Sequence, residues 1–112
     1  MAHATRGRTW RLPHCSEDPA QLLSALAQAA AGELPAGCPG QVKGYAEHGH
    51  GAVFLCHSGG LTRPECHRHG AYQGGQLTLQ LVLLAPDLDL SVLKHALEEA
   101  GRWLAARHPQ SA

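Results

Sequence analysis

Ten of the 112 residues are Cys or His lying between positions 14 and 69. They form three doublets, His14-Cys15, Cys56-His57 and Cys66-His67, and two His-x-His pairs, His48/His50 and His67/His69. Imidazole and thiolate are the groups that borderline-soft ions such as Zn²⁺ and Co²⁺ prefer. Such density in a short chain points to metal binding. The paired C-x-x-C of a structural zinc knuckle is missing, so a zinc-ribbon fold is not expected.

Cys66-His67-Arg68-His69 is the leading candidate site. In an extended segment His67 and His69 share one face and can chelate one ion, while Cys66 points away. In a loop all three can converge. His48 and His50 flank Gly49 on an expected turn, where two imidazoles can approach a shared ion. The expected metal set is therefore His67, His69, Cys66, His48 and His50, with Zn²⁺ or Co²⁺ as the ion. The plainer alternative is a set of solvated polar turns. Cys56 and His57 point to opposite faces of a strand and cannot easily share an ion; Cys56 is the open-face member if Val53 and Leu55 face the core. Cys38 and the His14-Cys15 doublet sit near loops and are read as incidental. A Cys nucleophile with a His base is the enzyme reading. Adjacent doublets do not give that geometry, and no orienting third group stands out, so no catalytic residue is expected.

The bulk numbers bound the partners. Nine basic and nine acidic residues cancel, which argues against nucleic acid as the main partner. The longest apolar stretch, 77–85, is interrupted by Thr78 and Gln80 and is too short to span a bilayer. Residues 1–20 contain no apolar signal region. The expectation is a cytoplasmic protein whose cysteines are thiols or ligands. At this length one domain with one modest core is expected.

The elements that must position the candidates follow from periodicity. Residues 1–8 are small and polar and are expected to be disordered, leaving 9–112 as a single domain. A short strand is expected over 9–15. Asp18-Pro19 with Gln21 marks a helix start, and Leu22, Leu23, Leu26, Ala29 and Ala30 recur at helical spacing to about residue 31. Strands are expected over 41–47 and 51–58 around the His48-Gly49-His50-Gly51 turn. Gly44 marks a bulge or a close backbone approach. Pro64 makes 61–69 an edge strand or a loop. The segment 76–84 is the clearest strand, with Leu77, Leu79, Leu81 and Leu83 on one face. A last helix over 89–107 carries Leu90, Leu93, Leu97, Ala100 and Leu104. The order β-α-β-β-(β)-β-α predicts an α+β two-layer sandwich. Its sheet is expected to have four or five largely antiparallel strands, with both helices on one face.

That order of motifs resembles the C-terminal domain of CobW-type P-loop GTPases, a group linked to cobalamin synthesis and metal delivery. The matching pieces are Asp18-Pro19, Leu34-Pro35, Gln41-Val42-Lys43-Gly44-Tyr45, Ser58-Gly59-Gly60, and the run from Gln80 to Asp89 with its following helix. They are spread over most of 9–107. The family usually carries Arg where this chain has Gln41. The phosphate-cradling G-x-x-x-x-G-K-[ST] of the GTPase is absent, so nucleotide hydrolysis is not carried over. The resemblance implies a non-catalytic metallochaperone accessory domain, acting with a partner GTPase or a metal-receiving protein. The alternative is an interaction domain with incidental His and Cys; a third reading is a small thiol-dependent enzyme.

Overall fold

The computed structural model describes residues 3–36, 40–57 and 64–110. The chain runs β1 (His3–Cys15), α1 (Pro19–Ala31), β2 (Gln41–His48), β3 (Gly51–His57), β4 (Glu65–His69), β5 (Gly75–Pro86) and α2 (Leu90–Arg107). The five strands form one sheet in the order β1-β5-β2-β3-β4. Every neighbouring pair is antiparallel. Both helices cover the same face, giving the expected α+β two-layer sandwich.

β5 lies between β1 and β2 and is covered on one face by the helices, so it has neighbours on three sides. Leu77, Leu79, Leu81, Leu83 and Ala85 are all fully buried. They alternate with Thr78, Gln80 and Val82, which face away from the helices. Val42 and Ala46 of β2, Val53 and Leu55 of β3, and Trp10 and Leu12 of β1 extend the same apolar surface. α1 meets it with Leu22, Leu23, Leu26, Ala27 and Ala30, and α2 with Leu93, Ala96, Leu97, Ala100 and Leu104. Gly44 resolves as a close approach rather than a bulge. Its register to β3 and β5 is unbroken, and a Cβ there would stand 3.1 Å from Leu23 Cδ1.

Two expectations are corrected. Residues 3–8 are not disordered but form the first half of β1, paired from His3↔Pro86 to Arg8↔Leu81. Sheet hydrogen bonds are made by the backbone, so a polar segment without hydrophobic alternation can still complete a strand beside β5. Leu90 does not join the apolar stripe of α2; it is 51% exposed at the helix start. The expected turn at Ser58-Gly59-Gly60, and Cys38, lie outside the described residues.

α1 begins as its sequence demands. Asp18 Oδ2 accepts the Gln21 backbone N–H at 3.0 Å, and Pro19 occupies the first turn. The loop before α1 is tied to the end of α2, where the Glu17 carboxylate accepts from Arg107 and meets His108 Nε2. The Arg107 guanidinium holds the Glu17 pKa at about 2.

Candidate functional site

β4 decides which candidate ligands can meet. It pairs with β3 in the register Phe54↔His67 and Leu55↔Cys66. Alternation therefore splits Cys66-His67-Arg68-His69 into two pairs. Cys66 and Arg68 lie on the helix-bearing face. Cys66 Sγ is 3.3 Å from Ser24 Oγ of α1. Arg68 forms a two-pronged bond to Asp18, at 2.6 and 3.0 Å. These contacts fasten β4 to α1 and hold its register. His67 and His69 are thereby presented on the opposite, open face, where both are exposed.

The expected five-residue metal set is therefore not one site. Cys66 is separated from the His67/His69 pair by the sheet itself. His48 falls on the helix side by the alternation of β2 and is half-buried. Its ring packs edge-on against Tyr72, with centroids 5.1 Å apart. Its Nδ1 accepts the His50 backbone N–H at 3.2 Å. His50 is exposed on the turn. With Glu47, His48, Gly74, Gln76 and Thr78 it lines a polar cavity of about 370 Å³ at the sheet end. Among the described residues, no group of three or more His, Cys, Asp or Glu side chains converges closely enough to hold a metal ion.

The open face has a defined pattern. Glu65, Cys56, Lys43 and Val82 form one row across the strands. His67, Phe54, Tyr45, Gln80 and Thr9 form the next, and His69, Ala52, Glu47, Thr78 and Arg11 the third. Phe54, 46% exposed, is its centre. Its ring lies 5.1 Å from Tyr45 and 5.6 Å, edge-on, from His69. The Tyr45 hydroxyl donates to Glu47 at 2.9 Å. Cys56 is exposed one row from His67, so the thiol sharing the face of the His pair is Cys56 rather than Cys66. The alternation of Val53 and Leu55 foretells that placement.

The β2–β3 turn is locked to the end of β4. Gly51 has φ 153° and Gly70 has φ 79°. A Cβ at Gly51 would collide with the His69 carbonyl oxygen, and one at Gly70 with that of His50. Only glycine permits this backbone approach. It brings His50 and His69 to adjacent positions although 18 positions separate them in sequence.

The third thiol among the described residues lies in the interior. Cys15 is buried, its sulfur pointing to the Glu17 carbonyl at 3.8 Å, and burial pushes its pKa up. Among the described residues, no hydrogen bond joins Cys15, Cys56 or Cys66 to an imidazole. No helix among the described residues is long and apolar enough to cross a membrane. No family model, curated protein or solved structure matches the chain.

Proposed function

We propose that the chain is a non-catalytic metal-binding accessory module, resembling the C-terminal domain of CobW-type P-loop GTPases. Its ligands for Zn²⁺ or Co²⁺ are His67 and His69. It works in the cytoplasm, where Cys15, Cys56 and Cys66 stay thiols, and it assists cobalt or zinc handling or cobalamin synthesis. Its partner is a P-loop GTPase or a metal-receiving protein.

The observation that carries this reading is the presentation of His67 and His69, two residues apart, on the uncovered face of an edge strand. Successive same-face positions on a strand stand about 7 Å apart, close enough for two imidazoles to reach one ion. Two nitrogens leave a tetrahedral ion two positions short. A site that is half complete suits an ion being passed on, with the receiving protein supplying the other ligands.

Titration of the untagged protein with Zn²⁺ and Co²⁺ at pH 7.5 tests this. Binding at or below about 10 µM (roughly −7 kcal/mol) is expected. It should be lost in the His67→Ala/His69→Ala variant and kept in Cys66→Ser. The Co²⁺ spectrum should lack a contribution from Cys66. Binding should weaken as pH falls through the imidazole range, because the ligands must be neutral. If the wild type and the double variant bind alike, the assignment fails.

A second reading is favoured by Phe54. An exposed aromatic centred between Tyr45 and His69 is the composition of a protein-contact patch. On that reading the open face docks a partner and the imidazoles serve as polar contacts. Metal stoichiometry separates the two.

A further inference from the structure

The two edges of the sheet are unlike. β4 is a short edge of five residues, whereas β1 is a 13-residue edge strand whose one neighbouring strand among the described residues is β5, with only its last carbonyls, His14 and Cys15, accepting from Gln110 and Tyr72. Every charged residue in the first 16 positions is an arginine: Arg6, Arg8 and Arg11. Arg6 and Arg8 fall on the helix-bearing side of β1, beside Lys94 and Glu98 of α2. Together with Gly7 and Leu97 these four line a cavity of about 200 Å³. No carboxylate lies within ion-pair distance of Arg6, Arg8 or Lys94 among the described residues. Three cations and one anion thus share a small cavity at an open strand edge, in a chain whose overall charge is zero.

The cluster is held in place. The Arg8 guanidinium carbon sits 5.4 Å from the centroid of the buried Trp10 ring. Gly101 lets α2 approach this pair; a Cβ there would stand 3.1 Å from Trp10 Nε1 and 3.4 Å from Arg8 Nη1. The Trp10 Nε1–H has no acceptor among the described residues. It therefore adds an uncompensated partial positive charge next to Arg8.

We propose that the β1 edge binds an extended, acidic segment of a partner protein by strand addition. Carboxylates at alternate positions of that segment would meet Arg6 and Arg8, with Lys94 behind them. An unpaired edge supplies backbone donors and acceptors, and side-chain charge supplies selectivity. Cross-strand neighbours stand about 4.5–5.5 Å apart, within reach of an Arg–carboxylate pair. Arginines on an edge also deter self-pairing. Two copies of β1 side by side would set guanidinium against guanidinium, whereas an acidic strand removes that repulsion. The charge pattern thus excludes a second copy and favours an acidic partner. The proposal stands apart from the metal reading and uses none of its residues.

The test uses the full ¹⁵N-labelled chain and a nine-residue probe peptide with Glu alternating with Thr and Val. A matched peptide with Lys replacing Glu, and inorganic phosphate, serve as comparisons. The acidic peptide should shift the amide signals of residues 4–12 and slow hydrogen exchange at β1 amides not bonded to β5. Combined Arg6→Gln and Lys94→Gln substitution, at exposed positions away from Trp10, should weaken binding about tenfold, and added salt should weaken it further. Four results would overturn the proposal. They are no shift at about 1 mM peptide, equal binding of the Lys peptide, shifts mapping to β4 instead, and phosphate reproducing the shifts without exchange protection. The last would mark a simple anion sink.

Discussion

The two faces of one sheet solve opposite problems with the same alternation. The covered face is aliphatic through its middle: four leucines and an alanine of β5 stack against ten apolar helix residues and are sealed from water, with polar side chains such as Arg8 and Arg68 at its margins. The open face alternates with it residue for residue yet carries Lys43, Glu47, Cys56, His67, His69 and the Tyr45–Phe54 pair. The first face holds the molecule together and can tolerate little change. The second makes few contacts and is available for recognition. β4 shows the contrast within five residues: Cys66 and Arg68 anchor α1, while His67 and His69 face solvent.

Substitutions on the two faces should therefore differ in kind. Leu81→Ala, at the centre of the covered face, should cost about 2–5 kcal/mol, read from the denaturant midpoint. A midpoint left unchanged would mean that the face assignment is wrong.

Asp18→Ala should cost about 1–2 kcal/mol, because one carboxylate both caps α1 and receives Arg68. Arg68→Ala should cost less, since it leaves the cap intact. Equal losses would show that the β4 anchor, not the cap, carries the effect.

The Glu17–Arg107–His108 clasp joins the two ends of the helical layer and gives that layer an acid dependence. The pKa of Glu17 is lowered on folding from 4.5 to about 2. The contribution is therefore fully present above about pH 4.5 and is lost as pH falls towards 2. Arg107 is half exposed, so solvent screening reduces the contribution to about 1 kcal/mol. Glu17→Gln should show that deficit at pH 7 and converge on the wild type as pH falls through 2. A deficit that does not shrink between pH 4.5 and 2 would assign the loss to packing instead of charge.

Phe54→Thr should have the smallest effect, below about 0.5–1 kcal/mol, because the ring is half exposed and Thr suits a strand. A loss as large as that of Leu81→Ala would mean that the open face is buried in solution, and a sedimentation measurement would then find the covering copy.

The sequence by itself determined the sandwich. Leucines at every second position of 77–83 and at helical spacing in 22–30 and 93–104 leave one arrangement that buries all of them, with both helices on one side of β5. It also determined the N-cap at Asp18, because that bond lies within four residues. Periodicity does not encode which strands become neighbours. The order β1-β5-β2-β3-β4 arises from long-range pairing, and residues 3–8, which lack alternation, become a strand only because β5 offers them a backbone. The candidate site divides in the same way. That Cys66 and His67 face apart was conditional on β4 being extended, and the fold supplied the condition through Arg68–Asp18 and Cys66–Ser24, contacts 50 and 42 residues apart in sequence. The packing of His48 against Tyr72, the approach of His50 to His69, and the juxtaposition of Arg6 and Arg8 with Lys94 all depend on distant segments meeting. Local spacing sets which side of an element a residue occupies. Only tertiary packing decides what stands opposite it.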